Sequence, residues 1–135
     1  MLSDDELVRK LHYHWEHSGR DEDRAHEIYR DDAVLEFPQS GERFEGVENF
    51  RAWRRQYPAD VKFHIRRITH RDDLVVTEYL ISYDGAPWMF TVSIMEFFGD
   101  KVAHERIYIM DGFEAAEWRS PWGSDQPADP APPPP

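Results

Sequence analysis

A chain of 135 residues with sixteen basic and twenty-seven acidic side chains has a formal net charge of −11 and a pI near 5.0. That length makes one domain with one hydrophobic core, and the acidic balance argues against a phosphate-tracking nucleic-acid binder or adhesion to an anionic membrane. The absence of cysteine removes disulfides, thiol catalysis and thiolate metal sites. No run reaches the roughly 18 apolar residues of a membrane span, and MLSDDELVRK lacks the layout of a signal peptide, so the expectation is a soluble cytoplasmic protein.

In chain order, Ser3 to His17 reads as a helix opened by a capping box of Ser3 and Glu6. Leu7, Leu11, His14 and Trp15 share one face, with Val8 at its edge. Ser18-Gly19 stops it, and a short second helix from Asp21 or Asp23 carries Ala25, Ile28 and Tyr29 on its apolar side. Asp31-Asp32 marks an acidic stop. A strand through Val34, Leu35 and Phe37 follows, then a turn at Gln39-Ser40-Gly41 closed by Phe44 and Gly46. Val47, Phe50, Trp53 and Tyr57 recur at helical spacing until Pro58.

From Val61 the period becomes two: Val61, Phe63 and Ile65 alternate with Lys62, His64 and Arg66. Asp84-Gly85 is the strongest hairpin signal in the chain. A two-residue turn there sets Tyr83 opposite Ala86, Ile81 opposite Trp88, Tyr79 opposite Phe90 and Val76 opposite Ser93. One face then carries Val75, Tyr79, Ile81, Trp88, Phe90, Val92 and Ile94. The other carries Val76, Glu78, Leu80, Met89, Thr91, Ser93 and Met95. A last hairpin turns at Gly99-Asp100 into a strand from Val102 to Met110. Residues 1–123 form the domain, and the proline-rich 124–135 is expected to be a disordered tail.

Helix end, strand, glycine turn and helix within Ile28 to Tyr57 is a specific order. It resembles the opening half of the nuclear transport factor 2-like superfamily, which holds the ketosteroid isomerases and the SnoaL-like polyketide cyclases. The resemblance covers about residues 4–113. It implies an α+β cone: a strongly curved, mostly antiparallel sheet with three helices packed on its concave face. It also implies a small apolar ligand at the cone's mouth, with Tyr29, Phe37 and Trp53 at cavity-lining positions and His14 added by helical phase. The base position of the isomerases falls on Phe37, which takes no proton, and their later acid falls near Ser93 or Ile94. Isomerase chemistry is therefore not expected to carry over.

Glu78, mid-strand among Val76, Leu80, Thr91 and Ser93, is the leading acid/base candidate, because burial on a mixed face raises a carboxyl pKa toward the useful range. His14 is the second catalytic candidate, and Ser93 and Tyr108 complete the expected pocket. His64, Glu105 and Arg106 rank behind them, and Tyr108 with Asp111 is loosely similar to the superfamily's tyrosine-then-acid pattern. His14 and His17 at i, i+3 make a weak metal signal, so neither metal nor cofactor is expected. Two readings stand. One is a SnoaL-like cyclase or isomerase moving a proton next to a carbonyl; the other is a non-catalytic binding or dimerisation module whose cone is filled by side chains. An epoxide hydrolase would need an Asp-Arg-Asp set that has no clear place here. A homodimer is expected through the open sheet face, using some of Val75, Tyr79, Ile81, Trp88 and Phe90.

Overall fold

A computed structural model describes residues 2–127 and 132–135. Residues 128–131, the middle of the expected tail, lie outside the described residues. The elements are α1 (Asp4–His17), α2 (Glu22–Ala25), β1 (Tyr29–Phe37), β2 (Glu42–Glu45), α3 (Val47–Arg55), β3 (Val61–Arg71), β4 (Leu74–Tyr83), β5 (Met89–Phe98) and β6 (Lys101–Met110). Short 3₁₀ turns cover His26–Ile28 and Glu117–Trp122. One six-stranded curved sheet runs β2-β1-β6-β5-β4-β3. Every neighbouring pair is antiparallel except β1 with β6. This is the expected α+β cone.

The capping box forms as read: Ser3 Oγ accepts from the Glu6 amide and Glu6 returns the bond to the Ser3 amide. It satisfies amides that a helix start leaves without partners. The buried face of α1 is Leu7, Leu11, His14 and Trp15. Leu7, Leu11 and Trp15 join Phe50 of α3 and the inner sheet residues Leu35, Val75, Tyr79, Met95 and Ile107 in one core. Gly19 turns the chain out of α1 at a φ of +80°, with a β-carbon there only 2.7 Å from the Val61 carbonyl oxygen. Glycine alone meets both demands.

Two local expectations change. The segment after Gly41 pairs with β1 as β2, so Phe44 belongs to a strand. The strand β1 begins at Tyr29 and runs through Asp31-Asp32, with a register shift between Tyr29 and Val34 that absorbs the acidic pair at the surface.

The third change has larger consequences. The turn at Asp84-Gly85 forms as expected, with positive φ at both residues and the Ala86 amide donating to the Tyr83 carbonyl at 3.0 Å. Pro87 has no amide to continue the ladder, and the Ala86 carbonyl accepts from Ser82 Oγ at 2.6 Å instead. Pairing resumes with Ile81 opposite Met89 and Tyr79 opposite Thr91, one residue away from the expected register. A slip of one exchanges the faces of β5 relative to β4. Val75, Tyr79 and Ile81 lie inside the cone and are buried, so they are not available to an open-face dimer. Glu78 lies opposite Val92 on the outer face.

Among the described residues no helix is long and apolar enough to cross a membrane. Within the tail, the Pro133 carbonyl accepts from Trp88 Nε1 at 2.9 Å.

Candidate functional site in the cone

The concave side of the sheet and the three helices enclose a cavity of about 1100 Å³ that reaches the surface near Arg20 and Glu42. Its wall is aromatic. Phe37, Phe44 and Trp53 form one contiguous group, with centroids 5.4–6.2 Å apart. Trp15, Phe63 and Tyr79 form another on the opposite side. Of the aromatics read from the sequence, Phe37 and Trp53 line this hollow, while Tyr29 and Phe50 are packed in the core.

Polar groups are concentrated on one side of the cavity. Glu105 on β6 is fully buried and lines it. Its two carboxyl oxygens accept hydrogen bonds from the hydroxyls of Tyr29 and Ser93. Arg54 on α3 lies across the ring of Trp53, also lines the cavity, and acts electrostatically on both Tyr29 and Glu105. Burial first, and then the Glu105 charge, hold the Tyr29 phenol well above its ordinary range, so it stays a neutral donor. Tyr79 is raised well above that range by the same two causes. Its ring also lines the cavity, and among the described residues its hydroxyl has no hydrogen-bond partner.

Both inner histidines have their tautomers set by neighbours. His26 Nδ1 donates to the Glu22 carbonyl at 2.6 Å, so Nε2 accepts from the Arg54 guanidinium at 3.0 Å. Burial, then the Arg54 charge, push its pKa down to about 3. His14 Nδ1 donates to the Ala25 carbonyl at 2.7 Å, which leaves Nε2 as the acceptor nitrogen of a residue that lines the cavity. Burial lowers its pKa, while the Glu105 charge opposes the shift. At neutral pH both rings are uncharged.

The sequence-derived candidates separate accordingly. His14, Phe37 and Trp53 line the cavity. Tyr29 and Ser93 sit behind it, bound to Glu105. Tyr108 lies opposite Val92 on the outer face. Glu78 is also outside, about half exposed and 3.9 Å from Arg67, because the slip at Pro87 carried its cross-strand neighbours away. His17 bonds to the Tyr13 carbonyl of its own helix. Among the described residues no group of three His, Cys, Asp or Glu side chains converges to hold a metal. Glu78→Gln is expected to change stability by no more than about 0.5 kcal/mol, as for an exposed strand position. Urea unfolding at pH 7 checks it, and a loss above about 2 kcal/mol would show that Glu78 is part of a buried network.

Arg54, Tyr79 and His26 were not legible as site residues, and Glu105 ranked low. Arg54 is i+4 from Phe50 and i+7 from Val47, so helical phase sets it on the buried face of α3, and only its charge argued for the surface. For Glu105 a signal existed: it alternates with Ile107 and Ile109 on the face that the core selects.

Several known structures share this fold. An NTF2-like protein of unknown function from Burkholderia xenovorans is 43% identical, with a TM-score of 0.86, covering 92% of this chain and 98% of that one. A protein from Kribbella flavida proposed to be a ketosteroid isomerase is 17% identical, with a TM-score of 0.79 and 91% of each chain covered. An LEH-like epoxide hydrolase from M. tuberculosis is 18% identical, with a TM-score of 0.66, covering 76% of this chain and 81% of that one. The last two show the fold alone. No curated protein matches the chain. The SnoaL-like domain family matches residues 8–105. With that match spanning most of the cone, the chain belongs to the SnoaL-like domain family, on the nuclear transport factor 2-like fold.

Proposed function

We propose that the cavity binds a small, largely apolar carbonyl compound and moves a proton at the carbon next to the carbonyl. The observation that carries this reading is His14: its Nδ1 is held by the Ala25 carbonyl, so Nε2 offers a lone pair on the cavity side of a buried, uncharged imidazole. His14 takes the proton from carbon, and the electron pair of that C–H bond moves through the adjacent carbon onto the carbonyl oxygen. The Tyr79 hydroxyl and the Arg54 guanidinium are the donors for that developing charge. Glu105 offsets the imidazolium that forms, and His14 then returns the proton to the same carbon or, where the substrate carries a carbon–carbon double bond conjugated with the enolate, to the far end of that bond as the electron pair moves back from oxygen. The aromatic walls select an apolar body. Phe37, at the position where the ketosteroid isomerases place their base, supplies only surface, so proton transfer is assigned to α1 instead of β1.

A second reading has its own support. Both Glu105 oxygens are occupied by the protein's own hydroxyls, as in a site built to hold a ligand without reacting with it. Incubation with a panel of cyclic and aryl ketones in D₂O separates the two. Binding is read from quenching of the emission of Trp15 and Trp53, and exchange from deuterium at the carbon next to the carbonyl. The expected result is binding with exchange in the wild-type protein, and binding without exchange in His14→Gln. Binding without exchange in both proteins assigns the chain to the ligand-binding module.

The same proposal includes a homodimer, formed through the outer face of the sheet. On that face Phe90 and Met110 are 46% and 40% exposed, and half-buried Val76, Val92 and Ile94 lie between them and the rim.

A further inference from the structure

Beyond β6 the chain carries a short arm of unusual composition. Phe113, Trp118 and Trp122 are 88%, 75% and 81% exposed, three of the most exposed large apolar side chains in the protein. The arm is shaped locally, by the 3₁₀ turn Glu117–Trp122 and its cap bond from the Gly123 amide to the Ser120 carbonyl. Among the described residues no hydrogen bond, ion pair or ring contact ties positions 113–122 to the sheet. At Gly112 the backbone passes over the Phe90 ring, where an added β-carbon would stand 3.2 Å from it. The chain thus passes the outer face at Phe90 and leaves the three rings exposed, and further on the Pro133 carbonyl meets Trp88 of the same face. Isolated exposed apolar residues are ordinary, but three large rings within ten residues are a surface that a partner covers.

We infer that this arm, residues 111–123, docks on the outer sheet face of a second copy, so that two arms are exchanged across the dimer. The inference rests on the homodimer proposed above and names the element that closes it. The outer face presents the apolar surface the arm lacks in its own chain, with Phe90 and Met110 beside half-buried Val92 and Ile94. Buried area favours the second copy as occupant. Three rings of this size bury on the order of 500 Å² on one arm, and two arms with the faces they cover reach roughly 2,000 Å², the scale of a stable dimer. The arrangement is isologous, since arm and face belong to the same chain. A bare sheet face pressed on its twin would leave all six rings in water.

Sedimentation velocity on the full chain at tens of micromolar tests this, in about 0.15 M salt to screen the net charge of −11. The wild-type protein is expected to sediment as a dimer. The full-length triple variant Phe113→Ser, Trp118→Ser, Trp122→Ser is expected to sediment as a monomer, with association at least about a hundredfold weaker. Its circular dichroism should be unchanged, because none of the three rings reaches the core. Phe90→Asp breaks the other half of the junction and should also give a monomer. A triple variant that dimerises as tightly as the wild type overturns the arm while leaving the dimer. A monomeric wild type overturns both. No ligand enters the measurement, so its outcome is independent of the carbonyl reading.

Discussion

Glu105→Leu is expected to destabilise the fold by about 3–5 kcal/mol, the range for removing one member of a buried charge pair. Glu105 is fully buried and accepts from Tyr29 and Ser93. Its loss leaves two hydroxyls without acceptors and the Arg54 guanidinium without its neighbouring anion. The orphaned charge is the larger effect, and a double mutant isolates it. Arg54→Met made in the Glu105→Leu background should recover roughly 1–2 kcal/mol, because the two groups are coupled. Urea unfolding of the four proteins at pH 7 supplies the cycle. A Glu105→Leu loss below about 1 kcal/mol would mean that the carboxylate is solvated in the working protein.

Acid should destabilise the protein before its surface carboxylates titrate. The folded pKa of His26 is depressed from an unfolded value near 6.5 to about 3, by burial and then by Arg54. The unfolded chain therefore binds the proton first. Stability is fully present above about pH 6.5 and is lost as pH falls through the window down to about 3. One such histidine accounts for about 2 kcal/mol by pH 5, at 1.36 kcal/mol per unit. The groups facing His26 are Arg54 and Arg51 of α3, Glu22 of α2 and His14 of α1. Of these, only Glu22 opposes the shift, through its carbonyl. His14 is lowered too, by burial, and adds in the same direction. Unfolding free energies at pH 7.5, 6 and 5 should fall accordingly. His26→Gln should lower the value at pH 7.5, since the Arg54 and Glu22 contacts are disturbed, while flattening the decline between pH 6 and 5. An unchanged decline would show that His26 is not buried in its neutral form.

His14 and Glu78 mark how far the candidate site could be read in advance. His14 was found by helical phase alone, and it lines the cavity, because α1 is one rigid period whose apolar face can turn only toward the core. Glu78 was found by strand alternation, and it lies outside. Alternation states which residues of one strand share a face but not which face a neighbouring strand adds to it. That depended on a single residue, Pro87, whose missing amide moved the register by one.

The sequence by itself determined most of the element types, β2 and the start of β1 excepted, with the capping of α1, the turn at Asp84-Gly85 and the family-level fold, since each rests on contacts within a few residues or on a periodic pattern summed over many. It placed Phe37 and Trp53 in the cone but left open whether the aromatics line a cavity or fill it. Only the tertiary structure decided what the cavity can do. Glu105, Tyr29, Ser93, Arg54 and the two histidines come from β6, β1, β5, α3, α1 and the turn after α2, separated by up to 91 positions in the chain. Their protonation states follow from burial and mutual charge. Neither exists until the sheet curves and brings them together.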